Sequence, residues 1–220
     1  MPKSSAMSKQ RPPLMRVLAL ALAVPLAATA LPTTPAEAQS AGLARVQAHL
    51  RAISTMTAHF TQSGRGGQSL SGTLTLKRPG KIRFDYGRSA NMLVVADGRA
   101  LHFIDYDVGQ HQRWPIGDSP LSVLLNPEQD LARFARVVRD DDQVLMVEAR
   151  DPRRREYGAI TLAFAKVPSA PGGLVLQGWN LVDAQSNLTT VRLSDQRFNQ
   201  PVADTAFRFR EPARTAGPRG

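Results

Sequence analysis

The chain has 220 residues, 28 basic side chains against 18 acidic ones, a formal charge of +10 and no cysteine. Without cysteine it holds no disulfide and offers no N-terminal cysteine for lipidation, so its stability has to come from a packed core. The basic balance admits anionic lipid or an acidic partner, but no basic helix or aromatic-interleaved basic motif is present, which argues against nucleic acid.

The first 38 residues read as a secretory signal. Lys3, Lys9, Arg11 and Arg16 make a positive start. Val17 to Ala28 is apolar but short and interrupted by Pro25, a poor membrane span. Ala36-Glu37-Ala38 supplies small residues for cleavage after Ala38, with Ala28-Thr29-Ala30 as the alternative. Removing 1–38 takes away four basic residues and one acidic one and leaves 182 residues with a charge of +7. That length suits one domain, expected over 39–210, with a disordered Pro/Gly/Arg-rich tail at 211–220. Export without cysteine points to a bacterial periplasm.

The mature chain opens with a predicted amphipathic helix. Ser40 stands where a cap would, and Leu43, Val46, Leu50 and Ile53 recur at helical spacing. Arg45 and Arg51 lie off that stripe. Strands follow. Met56, Ala58 and Phe60 alternate with polar residues, and Gly64 to Gly67 makes a hairpin connection. Leu70, Gly72, Leu74 and Leu76 alternate with Ser71, Thr73, Thr75 and Lys77, the signature of a sheet with one wetted face. Beyond Pro79-Gly80, Ile82, Phe84 and Tyr86 alternate with Lys81, Arg83 and Asp85. Leu93 to Ala96 and Leu101 to Asp105 pair across Asp97-Gly98, and Gln110 to Trp114 pairs back.

Asp118-Ser119-Pro120 reads as a helix start with Ser119 as cap. Leu121, Val123, Leu124 and Leu125 follow, Asn126-Pro127 stops the helix, and a second short helix is expected over Glu128 to Phe134. So apolar a short helix has to be buried somewhere. Strands resume near Val137–Val138, Val144–Arg150, Ala159–Lys166, Leu174–Val182, Thr189–Phe198 and Phe207–Phe209. The expected fold is mainly β: about eleven antiparallel strands in a sheet that curls or closes, with helices available to plug the concave face if it stays open.

No catalytic constellation emerges. His49, His59, His102 and His111 sit in no metal-ligand spacing, and His59 and His102 are expected at surface or edge positions. Asp140-Asp141-Asp142 reads as a hairpin turn, not a calcium loop. Arg153-Arg154-Arg155, after Asp151-Pro152, reads as a solvated loop, with a docking patch as the other reading. No metal or cofactor is expected, and the chain is not expected to be an enzyme.

The ordered pieces F-T-Q (Phe60 to Gln62), G-T-L-T-L-K-R-P (Gly72 to Pro79), R-F-D-Y (Arg83 to Tyr86), V-A-D-G (Val95 to Gly98) and S-P-L-S-V-L-L (Ser119 to Leu125) resemble the outer-membrane lipoprotein carrier protein family (LolA). The resemblance runs in order from about Leu43 to Leu125 and more loosely to Phe209. It implies an incomplete barrel with a helical lid. It also implies a soluble periplasmic carrier that takes acylated lipoproteins from an inner-membrane ABC exporter to an outer-membrane acceptor lipoprotein or the outer membrane. A monomer is expected. The same resemblance makes Arg78 the residue that latches the lid. The lid residues are then Leu43, Val46, Leu50, Ile53, Leu121, Leu124 and Leu125. Inward alternation gives Phe60, Leu74, Leu76, Ile82, Phe84, Leu93, Val95 and Phe103 as lining for the lipid. With aromatics at 6%, that lining should owe more to Leu and Val than to rings. A carrier of another lipid or glycolipid in the same fold, or a hydrolase of an apolar substrate, are the alternatives.

Overall fold

The computed structural model describes residues 35–64, 66–116, 122–150 and 158–213. Most of the expected signal, the Ser119-Pro120 helix start, Leu121, the Arg153–Arg155 loop and residues 214–220 lie outside the described residues. The elements belong to one compact unit, Thr33–Gly220.

Helix α1 spans Pro35–Ala52. It begins five residues before Ser40, whose hydroxyl donates to the Glu37 carbonyl from inside the helix instead of capping its end. The stripe Leu43, Val46, Leu50 and Ile53 is buried, while Arg45 and Arg51 are exposed. The helix therefore has the single apolar face that its spacing dictates.

Eleven strands follow: β1 (Thr55–Ser63), β2 (Ser69–Lys77), β3 (Lys81–Asp85), β4 (Met92–Asp97), β5 (Ala100–Asp105), β6 (Gln110–Pro115), β7 (Ala135–Asp140), β8 (Val144–Ala149), β9 (Ala159–Lys166), β10 (Leu174–Val182) and β11 (Leu188–Phe198). They form one sheet in the order β6-β5-β4-β3-β2-β1-β11-β10-β9-β8-β7. Every neighbouring pair is antiparallel. β6 and β7 stand at opposite edges and do not pair, so the barrel is incomplete, as the resemblance implies. One core draws on Leu74, Ile82 and Phe84 from one half of the sheet and on Leu145, Leu162 and Phe164 from the other. Strands so far apart in the order meet only because the sheet curls. Register shifts at Thr57/His59, Val137/Arg139 and Leu176/Gly178 help it bend. Gly178 has φ +149°, and a Cβ there would stand 2.0 Å from the Val191 carbonyl oxygen, so the last of these bulges needs glycine.

Two short helices interrupt the strands, α2 (Gly87–Ala90) and α3 (Ser122–Leu125). The helix expected over Glu128–Phe134 is only a 3-10 turn, Leu131–Arg133, capped by the Asp130 side chain. Asp130 has an extended backbone and its side chain accepts from the Ala132 N–H, which breaks the segment before a longer helical ladder can form. The strand expected at Phe207–Phe209 is also corrected. Asp204–Phe207 is a 3-10 turn lying on the outer face of β3 and β4, with Phe207 buried there. The Asp141 carboxylate accepts from the Gln143 and Val144 backbone N–H groups, which makes 140–142 the tight turn its composition implies.

Candidate functional site

The pairing register settles which side chains share the inner face. Met56 stands opposite Leu76, Ala58 opposite Leu74 and Phe60 opposite Gly72. Leu74 in turn faces Phe84, and Leu76 faces Ile82. Directly opposed residues project to the same side. Phe60, Leu74, Leu76, Ile82 and Phe84 therefore share one face, and all five are buried in the main core.

Leu93 and Val95 do not join them. Leu93 pairs with Asp85 and Val95 with Arg83, which puts both on the outer face. There they form a second, smaller core with Ile104 and Phe207. The inward residues of β4 are Val94, opposite Phe84, and Ala96, opposite Ile82. Phe103 pairs with Val94, so it lies on the inner face, half-buried.

Rings play a larger part than their number implies. Trp179, Phe84, Phe60 and Tyr86 form a chain of edge-to-face contacts with centroids 6.0, 5.4 and 5.0 Å apart. The Tyr86 hydroxyl donates to Gln62 Oε1 at 2.8 Å, and burial pushes its pKa up to about 12. Trp179 escapes sequence reading because the bulge before Gly178 changes the parity of β10 between Leu176 and Trp179. His49 lies on α1 between Val46 and Leu50 of the buried stripe. It is 1% exposed. Its Nδ1–H donates to the Pro171 carbonyl at 2.7 Å, and its ring meets Phe164 edge-on. Burial holds its pKa below 6.5, the Pro171 bond works the other way, and Arg78 depresses it further. Gly172 allows this packing, since a Cβ there would come within 2.5 Å of the His49 Cα.

Between α1, α3 and the inner face remains a cavity of about 20 Å³, lined by residues including Leu50, Ile53, Leu74, Leu76, Ile82, Leu124 and Trp179. That is room for about one water molecule. Leu124 and Leu125 of α3 occupy the space that the apolar face would otherwise offer; each is 2% exposed. The position of Leu121 lies outside the described residues.

Arg78 holds this arrangement together. Its Nε and Nη2 donate to the Leu124 carbonyl at 3.2 and 2.9 Å, and its Nη1 to the Ile53 carbonyl at 2.9 Å. One guanidinium thus serves the ends of both helices, where carbonyls lack partners and a cation is favoured. The next turn adds a bond from the Gly80 N–H to the Leu125 carbonyl at 3.2 Å. Desolvation lowers the Arg78 pKa to about 10, the mark of a cation set in apolar surroundings.

Helix α1 is tied down elsewhere as well. The Gln39 amide bonds both the N–H and the carbonyl of Val137 on edge strand β7, at 2.8 and 2.9 Å, standing in for a missing strand. Asn199 caps the other end. Its Oδ1 accepts from the Ser54 N–H at 2.8 Å, and its Nδ2 donates to the Ala52 carbonyl at 3.0 Å.

On the outer face, His59 is exposed, but His102 is buried, against the expectation of a surface position. The C-terminal segment covers it. Phe209 stacks on His102 and His111, with centroids 4.7 and 5.3 Å away. His111 bonds Glu211 at 2.9 Å, so the first residue of the expected tail is docked. Among the described residues no group of three or more His, Cys, Asp or Glu side chains could hold a metal ion, and no helix is long and apolar enough to cross a membrane.

A curled, open sheet whose apolar inner face lies under a small helix bonded to one arginine is the build of a binding protein rather than of an enzyme. Comparison with known proteins makes the assignment specific. The family model described as outer membrane lipoprotein carrier protein LolA matches residues 51–210, and the chain belongs to that family. It is 30% identical over 190 residues to an outer-membrane lipoprotein carrier protein of Methylobacillus flagellatus, covering 81% of this chain and 89% of that one. With the protein of the same name from Actinobacillus succinogenes it shares 30% identity over 211 residues, 90% of each chain. The crystal structure of a LolA superfamily protein from Nitrosomonas europaea shares 11% identity and a TM-score of 0.44, over 77% of this chain and 97% of that one. The family is one of carriers, not enzymes.

Proposed function

We propose that this protein is a periplasmic carrier that shelters the acyl chains of lipoproteins against its inner sheet face and ferries them from the inner to the outer membrane. In this reading residues 1–38 direct export. An inner-membrane ABC exporter loads the protein as a monomer, and an outer-membrane acceptor lipoprotein, or the membrane itself, receives the cargo.

The observation that carries the reading is the competition built into the site. Acyl chains bury at about 0.8 kcal/mol per CH₂. A face that only attracted them would not let go. Here Leu124 and Leu125 fill the face when cargo is absent, and Arg78 holds them there through the Leu124 carbonyl. Loading displaces α3 and breaks those bonds; release restores both. A cavity of about 20 Å³ is far too small for an acyl chain, so cargo enters only with movement of the cover. Phe60, Leu74, Leu76, Ile82, Phe84 and Phe103 are the lining proposed for the chains, joined by Trp179. Leu93 and Val95 are not.

The test is to isolate the protein from its own periplasm under native conditions and identify bound material by mass spectrometry. Triacylated lipoproteins support the reading. Free lipid or glycolipid alone, with normal lipoprotein sorting in a deletion strain, overturns it in favour of a carrier for another lipid.

A further inference from the structure

We propose that Gln47 is a positioning residue of the carrier, one that pins the pivot on which α3 swings. Its Nε2 donates to two carbonyls of the turn after α3, that of Pro127 at 3.1 Å and that of Gln129 at 3.0 Å. Both protons of one amide are thereby used on one short segment, in a half-buried setting where such bonds are less exposed to water. The turn is itself a tied unit. The Asn126 N–H bonds the Ser122 carbonyl at 3.0 Å, and Asn126 Oδ1 accepts from the Glu128 N–H at 3.2 Å. Beyond it the chain is held by Leu131, 1% exposed. The other tie from α1 to this turn is the Arg51–Glu128 ion pair at 3.1 Å. Its side chains are 52% and 72% exposed, so it holds little.

The cover thus has two attachments of different kinds. At the front, Arg78 and Gly80 hold the carbonyls of Leu124 and Leu125, and Arg78 lines the apolar cavity. At the back, Gln47 grips the turn from a helix that is fixed by Gln39, His49 and Asn199. When the front lets go, the back keeps the turn in place, and α3 rotates instead of drifting away. Its leucines then return to the same site when cargo leaves. This inference rests on the reading that the cover moves to admit cargo, and it adds the residue that makes the movement reversible.

Amide hydrogen exchange on the purified, cargo-free protein tests it. In Gln47→Leu, the amides of Asn126 and Gly80 should exchange about tenfold faster, the effect of losing a bond or two. Amides within α1 and the central strands should be unchanged, and entry of the dye anilinonaphthalene sulfonate should speed up similarly. Gln47→Lys should restore protection, because an ammonium can donate to both carbonyls. Gln47→Glu, equal in size but without donors at neutral pH, should behave like Gln47→Leu and serves if that variant does not fold. Unchanged exchange at Asn126 and Gly80 overturns the inference. So does an equal rise in α1, which would make Gln47 a plain helix-packing residue. Because no lipoprotein is present, failure of the carrier reading would show separately, as absent lipoprotein transfer beside altered exchange.

Discussion

Helices α1 and α3 both lie over the inner face, yet they are attached in opposite ways. α1 has 18 residues, a buried apolar stripe, a strand-mimicking contact at Gln39, an anchor at His49 and a cap at Asn199. α3 has four residues, and its buried leucines are held through carbonyl contacts to Arg78 and the Gly80 N–H. Four residues are far too few for a helix to persist by itself. The difference teaches that a shared burial pattern does not mean a shared role. α1 is held along its length and α3 by a few polar contacts; in the proposed carrier they serve as wall and door. Arg78 donates to a carbonyl at the end of each, Ile53 after α1 and Leu124 in α3.

The comparison breaks most visibly at Leu124. Leu124→Arg puts a charge where about 2–3 kcal/mol of apolar burial now sits, with no acidic partner provided. Transfer of a lipoprotein to an acceptor, followed by pull-down, should fall to background, while the circular dichroism of the sheet persists. Wild-type transfer in that variant would remove α3 from the mechanism. Arg78→Leu comes next. It frees the Leu124 and Ile53 carbonyls but also removes a poorly solvated cation, so global stability should shift by only about 1–2 kcal/mol. Its main effect should be on the balance between cover and cargo: weaker closure, and cargo retained longer in a timed release assay. Asn199→Ala probes the wall instead. Loss of the cap should cost about 1–2 kcal/mol in urea unfolding and leave release rates unchanged. Should it alter release as Arg78→Leu does, α1 and α3 move as one body and the contrast fails.

The smallest effect is a pH dependence at His49. Its folded pKa lies below 6.5, chiefly through burial, so the unfolded chain binds a proton more readily than the folded one. Stability is then fully present above about pH 6.5 and declines as pH falls below that value. A series of unfolding midpoints between pH 7.5 and 5 should show this decline, and His49→Phe should flatten it. Equal slopes in the two proteins would show that His49 does not report on the wall.

The legibility of these features in the sequence follows from local pattern. Strict alternation in β2 and β3 leaves one parity apolar, and Leu74, Leu76, Ile82 and Phe84 fall on the inner face as that parity requires. In β4 the run Leu93-Val94-Val95-Ala96 has no polar member, because Phe207 covers the outer face as the core covers the inner one. Parity within the run therefore carries no signal, and only the register with β3 makes Val94 and Ala96 the inward members in place of Leu93 and Val95. Trp179 was hidden by a one-residue bulge, which flips every later side chain. The contacts that hold the cover join residues far apart in the chain, Arg78 with Leu124 and Gln47 with Pro127, and no local periodicity marks such pairs. Only a motif that resembles a known family marks Arg78; Gln47 carries no such sign.

The central claim is that acyl chains replace Leu124 and Leu125 against the inner face. The chain has two tryptophans, Trp179 on that face and Trp114, 42% exposed on edge strand β6. Trp114→Phe leaves Trp179 as the single reporter. A synthetic triacylated lipopeptide with bromine on its acyl chains, which quenches fluorescence only on contact, is then titrated into that variant. Quenching of Trp179 should be saturable and should disappear on adding Leu124→Arg. Binding detected by calorimetry without quenching of Trp179 would place the acyl chains elsewhere and contradict it.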